Sequence, residues 1–404
     1  MNPHFSRFSI FVLILLISTG PLQSGPAAQS DYQEVRKVKD IVVYKDEKFY
    51  SAFPSIVKRK NGELLVAFRR APERRVFGEK GVSHTDANSY LMLVRSKDAG
   101  ENWSPTPELI HANPFGGSQD PCMTQLSDGS ILCASYGWAW MQPEAARNLK
   151  NANLVGNFAF LGGYLLHSAD GGKSWQGPTF PPSTPGEVFF DPFGKPVPAY
   201  NRGAMCEGKN GEVYWAVAAT TSGSAPRTEV HLFISLDKGI TWKYSCRIAG
   251  DSKVVFNESS LYLTPKGELV CFMRTEGFDD HTVVARSLDA GKTFQAWEDC
   301  GFQGHPHYAL KLPDKHVLLV YGYRHPPFGV RARVLDSECR NMTSAQEVII
   351  RDDGGNGDLG YPWGTMLSQR SALVVYYFNQ GNGPRYIAGT LLSIQGEKPT
   401  RPGR

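Results

Sequence analysis

The apolar stretch Phe8 to Ile17 is too short to span a bilayer, and the sequence has no basic run of the length that nucleic-acid binding uses. The net charge is only +4, so charge neither requires nor excludes an anionic partner. No sustained helical period appears, which turns attention away from helical folds. The seven cysteines (Cys122, Cys133, Cys206, Cys246, Cys271, Cys300, Cys339) lack metal-ligand spacing, and several sit inside strand-like patterns, as buried thiols do. Their odd number leaves at least one unpaired, although an exported location would allow one or two disulfides. Arg7 before the apolar stretch and small residues through Ala27-Ala28 after it read as a cleaved secretory signal over residues 1–30. The expected location is secreted or periplasmic, with no membrane span after signal removal. A retained anchor is the alternative, but no stop-transfer cluster of positive charge follows.

What is present is repetition. The pattern Ser-x-Asp-x-Gly-x-x-aromatic occurs at Ser96-Asp98-Gly100-Trp103, Ser168-Asp170-Gly172-Trp175, Ser235-Asp237-Gly239-Trp242 and Ser287-Asp289-Gly291-Phe294. Each suits a hairpin turn, because Ser and Asp oxygens accept bonds from nearby backbone N–H groups, Gly takes positive φ, and the aromatic packs between sheets. Recurrence at roughly 50 to 70 residues marks a propeller or solenoid unit. A worn fifth copy at Val334-Leu335-Asp336-Ser337-Glu338 keeps the Asp and little else.

A second set of hairpins runs through Ile56–Phe68, Met123–Tyr136, Met205–Val217, Leu261–Met273, Ala309–Tyr321 and Thr365–Phe378, each a β-rich run around a short polar turn. Six inner hairpins, each followed by an outer one, predict an all-β protein: a six-bladed β-propeller of four-stranded antiparallel blades over about residues 40–393, with a C-terminal tail at 394–404. With 404 residues, 41 Gly and 27 Pro, the chain fits a turn-dense fold whose repeats leave room for one domain.

The turn boxes resemble the Asp-boxes of the sialidase (neuraminidase) superfamily, and the resemblance covers nearly the whole chain after the leader. It implies a secreted exo-glycosidase that removes a terminal, acidic sugar from glycans. In that chemistry a Tyr replaces the usual carboxylate nucleophile, since a carboxylate would be repelled by the sugar's own acidic group; a Glu accepts the phenol's proton, arginines clamp the acid and an Asp protonates the leaving oxygen. No cofactor and no metal are needed. The Asp-box carboxylates lie on outer hairpins and are given no catalytic part.

Carried over position by position, the resemblance makes Glu258 in Asn257-Glu258-Ser259 the proton acceptor, Tyr361 in Gly360-Tyr361-Pro362 the nucleophile and Asp86 the general acid. Arg274 and Arg324 close inner hairpins, as clamp arginines do, and Arg69 and Asp120 stand where other parts of the sugar are contacted. His305 and His307 open the fifth inner hairpin and are candidate sugar contacts. With His325 they suggest a metal at first glance, but Pro306 and the lack of a regularly spaced third ligand favour loop histidines. His84, whose side-chain type titrates near neutrality, is an alternative acid or base.

One departure stands out: where the family has an Arg-Ile-Pro segment, this chain has Ser51-Ala52-Phe53-Pro54. Two arginines hold a carboxylate less strongly than three unless Arg69, Arg70 or Arg202 contributes. The substrate is therefore open between sialic acid, another acidic sugar and a neutral one. Two other classes remain open. One is a propeller polysaccharide lyase or other glycosidase using His305, His307 and Tyr361; the other is a carbohydrate-binding propeller without activity.

Overall fold

A computed structural model describes residues 34–79, 84–221 and 227–395. The leader reading for residues 1–30 lies outside them. Among the described residues the fold is nearly all β, and no helix is long and apolar enough to cross a membrane.

Six antiparallel sheets follow one another as the blades of a propeller. The first contains Phe49–Lys58, Leu64–Pro72, Tyr90–Ser96 and Glu108–His111. The second contains Gly116–Gln125, Ile131–Trp140, Phe158–Ser168 and Gln176–Thr179, with the short Leu154–Val155 added against its third strand. Blade three contains Cys206–Glu207, Val213–Ala219, Glu229–Ser235 and Lys243–Ala249; blade four, Val255–Leu263, Leu269–Glu276, His281–Ser287 and Glu298–Gln303. Blade five contains His307–Lys311, Val317–Tyr323, Gly329–Leu335 and Glu347–Arg351. Blade six takes Gly360–Ser368, Ser371–Phe378 and Tyr386–Gln395 from the end of the chain, and its outer strand, Glu34–Tyr44, from the beginning. That strand pairs along Tyr386–Gln395, with Val42 opposite Ala388, so backbone hydrogen bonds rather than a covalent link close the ring.

The second strands are almost wholly buried, as in Leu64–Phe68, Val213–Ala219 and Leu373–Phe378, because they lie between neighbouring sheets. This explains their continuous apolar sequence in place of alternation. The four turn boxes act as their composition predicts. Ser96 Oγ donates to Asp98 Oδ1 (2.8 Å) and accepts from Gly100 N (2.9 Å), and the same pair of bonds recurs at Ser168, Ser235 and Ser287. In three of them a non-glycine residue, Ala99, Lys238 or Ala290, also takes positive φ, so the Asp and Ser bonds hold a turn that side chains ordinarily resist. The worn box still works: Asp336 Oδ1 accepts from the amides of Glu338 and Arg340.

The boxes close the ends of third strands, whereas the candidate site gathers where first strands begin and second strands finish. Alternating strand direction puts these at opposite ends of the blades. All seven cysteines are free thiols, five of them buried.

Candidate functional site

The first strands of blades one, two, four and six slip register near their starts. Pairing passes from Ala52/Arg69 to Ser55/Ala67, from Gln119/Tyr136 to Cys122/Ala134, from Phe256/Thr275 to Ser259/Met273 and from Gly360/Tyr377 to Trp363/Val375. In three of these the skipped residues are an Xaa-Pro pair: Phe53-Pro54, Asp120-Pro121 and Tyr361-Pro362. Proline cannot donate to the ladder, so the strand bulges there and re-aims the preceding side chain. Phe53, Asp120 and Tyr361 accordingly take φ of 58°, 38° and 54°, a conformation costly for side-chain-bearing residues and kept where surrounding packing imposes it. Close backbone approach helps. A Cβ on Gly203 would stand 1.7 Å from the Ser259 carbonyl oxygen, so only glycine lets blade three lie against the strand carrying Glu258.

Glu258, Arg274, Arg324 and Tyr361 come from three blades and meet. The Tyr361 hydroxyl donates a hydrogen bond to Glu258 Oε1. Arg274 Nη1 donates to Glu258 Oε2 at 2.8 Å and reaches the Tyr361 hydroxyl at 3.4 Å. Arg324 lies over the Tyr361 ring, 5.0 Å from its centroid, and is steadied by the Leu359 carbonyl (3.2 Å) and the Tyr377 hydroxyl (3.0 Å). Burial, and then the charge of Glu258, push the Tyr361 phenol well above its ordinary value. Burial also opposes the charge on Glu258, but Arg274 and the Tyr361 hydrogen bond outweigh it and keep the carboxylate ionised. At rest the proton therefore sits on the phenol, with an ionised acceptor against it.

Across the site, Tyr136 donates to Asp120 Oδ2 at 2.5 Å. Burial pushes Asp120 up to about 6, against the pull of Arg202. Among the described residues its Oδ1 has no hydrogen-bond partner, nor has any side-chain nitrogen of the fully buried Arg69, which lies 5.4 Å from the Tyr50 ring centroid and 6.0 Å from that of Phe53. Burial lowers the Arg69 guanidinium accordingly. A cavity of about 170 Å³ opens beside Glu258, bounded by Tyr136, Trp138, Tyr200, Arg202 and Asn257 among others.

The remaining expected residues are placed differently. Asp86 is chelated by Arg74, whose Nε and Nη2 donate to Oδ2 and Oδ1 at 2.7 and 2.8 Å, and it accepts a third bond from Asn88 N. Burial opposes its charge, yet these bonds hold it below the usual carboxylate range. His307 does not join the site: its Nε2 meets Thr282 Oγ1 (2.8 Å), its ring lies near Phe272 and Tyr321, and burial pushes it down to about 3. His305 is buried with Nε2 3.5 Å from Asp280, which also faces His325 at 3.2 Å. Among the described residues no group of three or more His, Cys, Asp or Glu could hold a metal.

Of the arginines that could replace the missing one, Arg202 is committed to the carbonyls of Pro54 and Tyr361 and to Cys122. Arg70 stacks 4.1 Å from the Phe49 ring and bonds Tyr44. Among the described residues, Arg69 alone of the three has all its side-chain nitrogens unpartnered.

Sequence reasoning passed over Asp358, which accepts from the Tyr50 and Tyr377 hydroxyls (3.0 Å each) and Arg385 (2.7 Å) and faces His84 Nε2 at 2.8 Å. It also passed over Tyr136. The recurring Xaa-Pro at one blade phase was the available signal for Phe53, Asp120 and Tyr361.

The BNR repeat-like domain family matches residues 151–376, more than half of the chain. The chain belongs to the BNR-repeat propeller superfamily. A solved structure of a protein of unknown function from Dyadobacter fermentans DSM 18053 is 58% identical over 89% of this chain and 99% of that one, with a TM-score of 0.87. The Hadza microbial sialidase Hz136 is 16% identical over 87% of this chain and 68% of its own, with a TM-score of 0.62. The Trypanosoma rangeli sialidase, solved with 2,3-difluorosialic acid as a covalent intermediate, is 14% identical over 87% of this chain and 58% of its own, with a TM-score of 0.60. At these identities the sialidases share the fold. No curated protein matches.

Proposed function

We propose that the protein is a sialidase-like exo-glycosidase that removes a terminal acidic sugar from glycans with retention of configuration. The observation that carries this reading is the Tyr361 hydroxyl donating to Glu258, with Arg274 bound to both. A buried phenol is a poor nucleophile until its proton leaves, and Glu258 is held ionised to take it. A neutral phenol approaches an acidic sugar without the repulsion a carboxylate would meet, which gives the pairing a chemical purpose. Attack by Tyr361 on the anomeric carbon expels the leaving oxygen. Water then displaces the tyrosine, which recovers its proton from Glu258.

Arg324 and Arg274 hold the acidic group. Ala52 and Phe53 fill the place of the third clamp arginine, and the Phe53 ring packs on Tyr361 at 4.8 Å between centroids. Arg69 and Asp120 Oδ1, both buried and without a side-chain hydrogen-bond partner among the described residues, supply a donor and an acceptor for ring hydroxyls. The covalent intermediate of the T. rangeli sialidase supports a covalent scheme on this fold. The leader at residues 1–30 would export the protein to where glycans are met. The test is a panel of sialyl, uronyl and neutral glycosides: an acidic glycoside should be hydrolysed with retention, and Tyr361→Phe should abolish it. Turnover of none, with binding retained, would overturn the reading.

A further inference from the structure

The proposed chemistry needs a proton for the leaving oxygen, and both carboxylate oxygens of Asp86 are engaged by Arg74. We infer that His84 is the proton donor of this site, oriented by Asp358, an assignment that rests on the glycosidase reading above. His84 Nε2 lies 2.8 Å from Asp358 Oδ1, and among the described residues its Nδ1 has no partner. The imidazole is half-exposed, open to a ligand from solvent. Its ring meets Phe53 edge-on at 5.5 Å, and Phe53 meets Tyr361 at 4.8 Å, so His84 stands one aromatic ring away from the nucleophile.

The groups facing His84 are few. Tyr50 lies 6.1 Å away, ring to ring, and donates its hydroxyl to Asp358, while the His84 carbonyl accepts from Gln119 Nε2. Asp358 is fixed by Tyr50, Tyr377 and Arg385, and Tyr377 in turn holds Arg324 over the nucleophile. One half-buried carboxylate thus positions both the donor imidazole and the clamp. A carboxylate on Nε2 fixes the ring plane and leaves Nδ1 facing outward, so the hydrogen to be given is the one on Nδ1.

The step balances. As the bond between the anomeric carbon and the leaving oxygen breaks, that oxygen takes the Nδ1 proton, Tyr361 bonds to the anomeric carbon, and the phenol proton passes to Glu258. In the second half neutral His84 takes a proton from water as the water oxygen bonds to the anomeric carbon and the tyrosyl bond breaks.

The experiment compares His84→Gln, Asp358→Asn and Asp86→Asn on the glycoside that the wild type hydrolyses, as an alkyl glycoside and as its 4-nitrophenyl counterpart. A lost general acid hurts only the poor leaving group. His84→Gln should lower kcat/KM on the alkyl glycoside about 10²–10⁴-fold, spare the nitrophenyl glycoside to within about tenfold, and flatten the alkaline limb of the pH profile. Asp358→Asn should show the same leaving-group split in weaker form, and Asp86→Asn should change both substrates alike. The leaving-group split in Asp86→Asn, with His84→Gln like wild type, overturns the assignment while leaving the glycosidase intact. No hydrolysis by the wild type overturns the glycosidase reading and this one with it.

Discussion

Glu258→Gln separates the electrostatics of the site from its chemistry, because its first effect is on stability. The carboxylate is the near partner of Arg274 at 2.8 Å, and the arginine side chain is 18% exposed. Removing one member of a fully buried ion pair costs about 3–5 kcal/mol, through the charge left behind. Arg274 keeps a second partner, Glu276 at 3.3 Å, and some water. A lost charge-assisted hydrogen bond, worth about 1.5–3 kcal/mol, is therefore the better guide. We expect a destabilisation of about 2 kcal/mol, or about 2–3 °C in Tm for a chain of this length.

The partner change Arg274→Met should also destabilise, since Glu258 then loses the charge that keeps it ionised. The double variant should recover most of the loss, because neither charge remains. The assay is denaturant or thermal unfolding of all four proteins as a double-mutant cycle, with a favourable coupling of at least 1 kcal/mol expected between the two positions. Additive single effects would refute the claim that this pair is energetically linked, and with it the account of why Glu258 is ionised beside the phenol.

Other outcomes follow from the same geometry. Asp120 is raised to about 6, so its protonated form favours the folded state. The sign follows from linkage: that contribution is complete below about pH 4 and lost as pH rises through about 6. A Tm series from pH 4 to 8 should fall more steeply in this window for wild type than for Asp120→Asn, and parallel curves would contradict it. Gly203→Ala sets a methyl group 1.7 Å from the Ser259 carbonyl oxygen, so it should lower Tm and displace the Glu258 strand. An unchanged Tm would mean that the two blades are not in the contact described. Tyr361→Phe should leave Tm near wild type or slightly lowered while removing turnover, measured by product release from the active glycoside.

Much of the fold was legible because a propeller repeats its instructions. Ser, Asp and Gly at fixed spacing serve the same local hydrogen bonds in each box, so composition alone locates the outer hairpins. The inner hairpins announce themselves by β-rich runs around polar turns. The closure of blade six was not legible, because the pairing of Glu34–Tyr44 with the last strand is between the two ends of the chain and leaves no local mark. Within the site, Tyr361, Glu258, Arg274 and Arg324 could be named from resemblance, and they do meet. His307 misled because histidine at a strand start looks the same whether it faces a ligand or, as here, packs on Phe272 and Tyr321. The bidentate bond between Asp86 and Arg74 was not legible either, since nothing in the intervening residues foretells it.

The sequence by itself thus determined the repeat, the strand class and the turn chemistry, all of which depend on residues within a few positions of one another. Only the tertiary structure decided which charges are paired, which histidine faces solvent beside a carboxylate and which way each bulged side chain points. Those properties come from contacts between blades, such as Tyr361 with Glu258 and His84 with Asp358, and are set by burial and distance rather than by order along the chain.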